Sequence, residues 1–253
     1  MVYRQDQETK KWIAVGGNPV SEAQITAQVT LPGIYALIVN NDFTPPELYL
    51  TVEHQSFIDG DFVSASPVLS ATLSDANGLD LRPEHIVLIK NREIVPPTEY
   101  AISVSPTNSN LAFLSYTPTL STGTHQIALQ AQDANTNTAQ QEIQVRVSGK
   151  FAVEKVANYP NPFTPGTKRQ QGTDFAYLLT SDADKVTLKL YTITGRLIVS
   201  VDKLDGFAGY NEYHWDGLDK DKEELSNGVY IYRIIAEKGK EVTENRGKLV
   251  VLR

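Results

Sequence analysis

Val229-Tyr230-Ile231-Tyr232-Arg233-Ile234 sets Tyr230, Tyr232 and Ile234 on one parity and Val229, Ile231 and Arg233 on the other. A period of two in β-branched and aromatic residues is the signature of a strand with one face buried. The same alternation recurs in Ile127-Ala128-Leu129-Gln130-Ala131, Glu142-Ile143-Gln144-Val145-Arg146-Val147 and Val186-Thr187-Leu188-Lys189-Leu190. Turn-forming residues punctuate these runs: Asp59-Gly60-Asp61, Asn77-Gly78, Gly195, Asn227-Gly228 and Lys238-Gly239-Lys240. The best helical candidate, Asp219–Leu225, is too short and too charged to bury an apolar stripe. The pattern predicts an all-β chain of tandem sandwiches.

Composition narrows the function classes. The 253 residues contain no Cys, which excludes a disulfide scaffold, a thiol nucleophile and Cys-ligated metal sites. No apolar run reaches the roughly 18 residues of a membrane-spanning helix. A net charge of −7 argues against a nucleic-acid partner. The charge is uneven: residues 1–149 carry 7 Lys and Arg against 15 Asp and Glu, and residues 150–253 carry 16 against 15. The N-terminus lacks a basic stretch followed by an apolar one. An exported protein with this start would have lost its signal peptide, or the chain is an internal piece behind Met1.

Two joints divide the chain. Phe43-Thr44-Pro45-Pro46 cannot continue a sheet ladder, and Ser148-Gly149-Lys150 follows an alternating run. The expected segments are 1–42, 43–149 and 150–253. The first is too short for an independent core, so it packs on a neighbour or ends a preceding domain. Its closing Pro32-Gly33-Ile34-Tyr35-Ala36-Leu37-Ile38-Val39 reads as a strand. In the second, an alternating strand reaches Asp133-Ala134-Asn135-Thr136-Asn137 before a final strand, and Thr44-Pro45-Pro46-Glu47-Leu48 opens it. This segment resembles bacterial immunoglobulin-like, or cadherin-like, repeats. Asp133, Asn135 and Asn137 stand at alternate positions, as oxygen ligands do in calcium loops. The later ligand positions hold Thr138 and Gln144, where such a loop needs Gly and Glu, so an Asx-rich turn competes with calcium. Asp75, Asn77 and Asp80 admit the same two readings. The expectation is no cofactor, with calcium the one open possibility.

The third segment carries the most specific signal. Tyr159-Pro160-Asn161-Pro162-Phe163 opens it, with Tyr159 and Phe163 as expected anchors. Tyr191 with Gly195-Arg196, Gly209, Trp215-Asp216-Gly217, Gly228-Val229-Tyr230 and Gly247-Lys248-Leu249-Val250 follow in order. From Asn158 to Arg253 the chain resembles the type A C-terminal sorting domain of the type IX secretion system of Bacteroidetes. It is similar also to the immunoglobulin-like domain of the flagellar hook-capping protein. The resemblance implies a seven- to eight-stranded sandwich read by the outer-membrane translocon. It further implies removal by a sortase-like protease, attachment of the cargo to surface lipopolysaccharide, and a secreted or outer-membrane cell-surface location. The last strand, with Lys248 and Arg253, is a candidate for recognition by strand addition if its edge is open.

Catalysis finds little support. His54, His85, His125 and His214 form no paired metal motif, and no nucleophile elbow, P-loop or dinucleotide fingerprint occurs. The expected function is non-catalytic: a surface or secreted region ending in a sorting module. The alternatives are accessory modules of a secreted hydrolase, or a hook-capping or adhesin-type assembly protein. Trp12, Trp215 and the tyrosines suggest a possible sugar platform.

Overall fold

The computed structural model describes residues 2–252 except 9, 11, 22, 23, 39–41, 109 and 166–171. Within these, the chain folds as strands and turns without a helix. It divides into two compact units that interleave in sequence. The first comprises Met1–Glu53, Pro67–Pro118 and His125–Gln144. The second comprises His54–Ser66, Thr119–Thr124 and Val145–Arg253.

Residues before Phe43 form β1 (Val2–Gln5), β2 (Trp12–Gly16), β3 (Asn18–Ser21), β4 (Gln24–Thr26) and β5 (Tyr35–Leu37). β1 lies between β2 and β5 in a small antiparallel sheet, and β3 pairs with β4. Ile34 and Leu37 are exposed. Val39 lies outside the described residues.

The first sandwich follows with β6 (Glu47–Val52), β7 (Leu69–Ser74), β8 (Ile86–Lys90), β9 (Glu93–Ile94), β10 (Tyr100–Val104), β11 (Leu111–Tyr116), β12 (Gly123–Gln132) and β13 (Thr138–Val147). One sheet has the order β10-β11-β7-β6 and the other β13-β12-β8-β9. Taken in chain order these are an ABED sheet and a CFG sheet with one added edge strand, the immunoglobulin arrangement. Leu69, Ala71 and Leu73 alternate inward along β7, and Ile127, Leu129 and Ala131 along β12. Each fully buried aliphatic side chain contributes roughly 1.5–3 kcal/mol.

The second sandwich contains β14 (Val153–Tyr159), β15 (Thr173–Leu179), β16 (Lys185–Thr192), β17 (Leu197–Leu204), β18 (Gly209–Trp215), β19 (Gly228–Lys238) and β20 (Glu241–Val251). Its sheets run β14-β15-β18 and β17-β16-β19-β20, the same plan with three strands against four. The alternation of the 229–234 stretch becomes burial in β19, where Tyr230, Tyr232, Ile234 and Ala236 face the core. Phe175 is fully buried between Trp215, at a ring distance of 6.0 Å, and Tyr232, at 4.8 Å edge-on.

Residues 54–66 belong to the second unit, and Asp61 supplies a reason. This carboxylate is buried. Its Oδ1 accepts the Phe62 amide at 2.8 Å and its Oδ2 the Tyr210 amide at 2.9 Å. Arg146 donates from Nε to the Gly60 carbonyl at 2.6 Å and stands 4.3 Å over the Phe62 ring. Residues 54–66 are thereby bonded into the second unit. Replacing Asp61 by alanine strands the Tyr210 amide, at a cost of about 1–3 kcal/mol, read as a lower unfolding midpoint in urea.

Two tyrosines make this core sensitive to alkali. Tyr177 donates its hydroxyl to the Asp205 carbonyl at 2.6 Å, and burial, helped by the Asp205 charge, raises its pKa far above the usual tyrosine range. Burial pushes Tyr232 up to about 12. Unfolded tyrosines ionise near 10. Folded pKa values above unfolded ones mean stabilisation that is complete below about pH 10 and is lost as pH rises through 12. Stability of the second unit is expected to fall from about pH 10 upward, and Tyr232→Phe to flatten that fall. An unchanged slope in urea melts of the variant between pH 9 and 12 would contradict it.

Candidate functional site

The strand register gathers most of the resemblance-bearing residues at one end of the second sandwich, while Gly209, paired with Leu179, stands at the far end of the β15–β18 ladder. Thr192, which opens the turn carrying Gly195 and Arg196, pairs with Tyr230, and Tyr230 pairs with Leu249. Gly228 pairs with Val251, and Phe163 bridges Val251 from the other side. Trp215 pairs with Thr173, whose hydroxyl donates to the Pro160 carbonyl at 2.9 Å. Gly217 touches the same cluster: a Cβ added there would stand 2.6 Å from the Phe163 ring.

The opening segment closes the outer edge of β20. The Tyr159-Pro160 and Asn161-Pro162 bonds are both cis. Asn161 uses its side chain as a strand would use its backbone. Its Oδ1 accepts the Val250 amide at 2.8 Å and its Nδ2 donates to the Lys248 carbonyl at 2.9 Å. Phe163 continues the ladder, its amide donating to Val250 and its carbonyl accepting from Leu252, both at 3.0 Å. Further down, the Asn245 side chain donates to the Val153 and Glu154 carbonyls. The last strand is therefore closed to strand addition along this edge, contrary to the sequence expectation. Arg253 lies outside the described residues. Among the described residues, β17 has no strand on its outer side.

The two expected anchors separate. Phe163 is buried and packs at 5.9 Å, tilted, against Trp215. Tyr159 is 80% exposed. It pairs with Asp174, and Asp174 pairs with His214, so this row lies on the outer face, opposite Phe175 and Trp215. His214 Nδ1 lies 2.6 Å from Asp174 Oδ1 in the open. Trp215, at 4% exposure, is a core residue and removes itself from any sugar platform.

Other members are turn devices. Gly195 takes φ +89 in the Thr192–Arg196 turn, where the Arg196 amide donates to the Thr192 hydroxyl. Asp216 Oδ1 accepts the Leu218 amide at 3.0 Å. Tyr230 donates its hydroxyl to the Ser226 carbonyl at 2.8 Å. A tyrosine near the start of this strand bonding back upstream is the tyrosine corner of immunoglobulin-like sandwiches, a role that spacing alone did not reveal. Gly247 sits opposite Tyr232, whose ring occupies the space a Cβ would need.

What the end presents to solvent is mixed. Leu197 pairs with Tyr191, Tyr191 with Ile231, and Ile231 with Lys248, one row across the sheet's outer face. Exposed Val229 and Ile193 extend it, and Arg196 and Lys248 add charge at its margin.

The calcium candidates lie in the first unit. Asp133 is almost wholly buried. Asp133 Oδ1 accepts the Asn135 and Asn137 amides at 2.8 Å each. Asn137 turns its Nδ2 inward, donating to Asp133 Oδ2 at 2.7 Å and to the Asp42 carbonyl at 3.1 Å. Asp80 is claimed by Arg82 and His85. Burial works against its ionisation, and hydrogen bonds from these two residues outweigh it, leaving the pKa lowered. Asp75 instead faces Asp133 and Asp42.

Fold and strand order define the class: tandem immunoglobulin-like β-sandwiches. Residues 163–240 match the family described as the FlgD Ig-like domain. Dimeric latent PorU from Porphyromonas gingivalis aligns at 22% identity over 83% of this chain and 20% of its own, with a TM-score of 0.38. The fibronectin(III)-like modules of Clostridium thermocellum CbhA align at 14% identity over 80% and 94%, with a TM-score of 0.31. SGBP-B of the Bacteroides ovatus mixed-linkage glucan utilization locus, solved in complex with a mixed-linkage heptasaccharide, aligns at 11% identity over 88% of this chain and 63% of its own, with a TM-score of 0.30. The chain thus spans about a fifth of the PorU chain. No curated protein matches it. Among the described residues no helix is long and apolar enough to cross a membrane.

Proposed function

We propose that residues 150–253 serve as a C-terminal sorting domain of the type IX secretion system, and that residues 43–149 form a non-catalytic spacer. The supporting observation is the convergence of residues 159–163, 195–196, 215–217, 228–230 and 247–250 at one end of the second sandwich. The aromatics and glycines build that end. The exposed face of Leu197, Val229, Ile231 and Lys248 is the surface a translocon would read. In this reading the cargo is secreted or held on the outer surface, and a sortase-like protease cuts upstream of the domain before attachment to lipopolysaccharide.

The test fuses residues 150–253 to a reporter in a type IX-competent host. Export of the fusion is expected, and Val229→Lys is expected to lower it at least 10-fold while the domain still melts cooperatively. Unchanged export of that variant would remove the recognition surface. No export of the parent fusion would remove the reading itself. The family match over 163–240 favours a second reading, a hook-capping type of assembly module. It predicts that the purified chain binds polymerised flagellar hook and that the reporter stays inside.

A further inference from the structure

We propose that the outer face of the β14-β15-β18 sheet binds a short oligosaccharide carrying a uronic acid, whose carboxylate is held at the margin formed by Lys155 and Arg246. The parity that sends Phe175, Tyr177 and Trp215 into the core turns Asp174, Ala176 and Leu178 outward. The register sets three rows across this face. Lys155 pairs with Leu178, and Leu178 with Tyr210. Ala157 pairs with Ala176, and Ala176 with Glu212. Tyr159, Asp174 and His214 make the third row. A cleft of about 530 Å³ opens along the face, and its lining includes Lys155, Ala157, Ala176, Leu178, Tyr210 and Arg246. The outward alanines and Leu178 give it an apolar floor.

Size selects the class of occupant. Each of the three strands has 7 residues. At about 3.4 Å per residue and about 4.8 Å between strands, the face covers roughly 300 Å². A specific protein partner covers about 800 Å² a side, so the face is too small for one. A peptide strand gains affinity by joining a ladder, and the face of a sheet offers no free backbone groups. A sugar chain needs neither. Its rings have apolar C–H faces and a rim of hydroxyls. The floor and the Tyr210 ring meet the first, and the carboxylates of Glu212 and Asp174 accept from the second. Four residues and two strand spacings separate the positions of Tyr210 and Tyr159, roughly 17 Å, the span of a short oligosaccharide.

Charge narrows the sugar to an acidic one. Among the described residues no ion pair involves Lys155 or Arg246. Two cations at one margin without a protein carboxylate match a carboxylate on the ligand, which a guanidinium grips with two parallel bonds. The acids of the face stand elsewhere. Asp174 is bonded to His214, and Glu212 holds the Tyr210 hydroxyl. Burial first, then the charge and bond of Glu212 and the charge of Asp174, raise the Tyr210 pKa, which ties the three into one cluster. Their repulsion turns the ligand's acid end toward Lys155 and Arg246 and fixes its direction on the face. The face lies on the other sheet from the surface assigned to the translocon and does not depend on the sorting role.

The experiment uses the full chain at physiological ionic strength, with aldotetraouronic acid (one glucuronic acid on xylotriose) as the probe. Calorimetric titration is expected to show one site with a Kd of about 1 mM or tighter. Lys155→Ala and Arg246→Ala, both on exposed residues, are each expected to weaken binding about 10-fold with the urea midpoint unchanged. Ala157→Glu, also at an exposed position, is expected to abolish it. Neutral xylotetraose is expected to bind about 10-fold more weakly than the probe. Lys90→Ala, in the first sandwich, is expected to change nothing. No binding of the probe would overturn the site. Equal binding of xylotetraose would remove the charge recognition, and equal binding of a triglutamate peptide would remove the sugar. An equal loss in Lys90→Ala would reduce the interaction to diffuse attraction and overturn the site as well.

Discussion

Trp215→Ala is expected to cost the second unit about 3–5 kcal/mol, the range for emptying a large aromatic from a packed core. The indole is 4% exposed and fills the space between Phe163 and Phe175. Phe163 comes from the opening segment that closes the edge of β20, and Phe175 from the middle of β15. The cavity would therefore loosen both the core and the contact that carries Asn161 to the last strand. Domains hold only about 5–15 kcal/mol in total, so this is a large share. In scanning calorimetry the second unit's transition should fall by roughly 12 °C or more, with the first unit's transition unmoved. A fall below about 4 °C would mean that the tryptophan is replaceable there.

The fold was legible because burial follows parity. The inward residues of β7, β12, β16 and β19 are those that the period-two pattern selects. Parity fixes which residues share a face, and it carries no information about what lies beyond a strand's edge. That is why the last strand read as open while Asn161, 87 residues upstream of Lys248, covers it through side-chain bonds. Tyr159 was misjudged for a related reason. An aromatic beside prolines looks like an anchor, yet its partner across the ladder is Asp174, on the solvent side.

The acidic cluster shows the same limit more sharply. Alternate spacing pointed to Asp133, Asn135 and Asn137, a set drawn from one turn. The carboxylates that meet are separated by 33 and 58 positions, and what joins them is the stacking of loop ends in a sandwich. Local spacing finds ligands only when one loop supplies them all. Of the three, Asp75 and Asp133 were each singled out with neighbours from their own turn, and Asp42 carried no signal of its own.

Gly217→Ala is expected to be the most damaging of the single-methyl changes at the motif end, at roughly 2–4 kcal/mol. Two costs combine. Gly217 holds φ +83, where a Cβ adds about 1–2 kcal/mol. The methyl would also lie 2.6 Å from Phe163 Cε2 and 2.9 Å from Pro165 Cβ. Phe163 cannot yield easily, because its backbone is bonded on both sides to β20 and its ring is packed on Trp215. Two other glycines isolate the terms. Gly195, at φ +89 with nothing within 4 Å of the added carbon, carries the backbone cost alone, about 1 kcal/mol. Gly247 carries the steric cost, its methyl running into the buried Tyr232 ring, about 1–3 kcal/mol. Urea melts of the three alanine variants should rank Gly217 first and Gly195 last. If Gly195→Ala proved the worst, the end of the sandwich would be limited by turn strain, and the packing of Phe163 on the Trp215-Asp216-Gly217 turn would lose its central place.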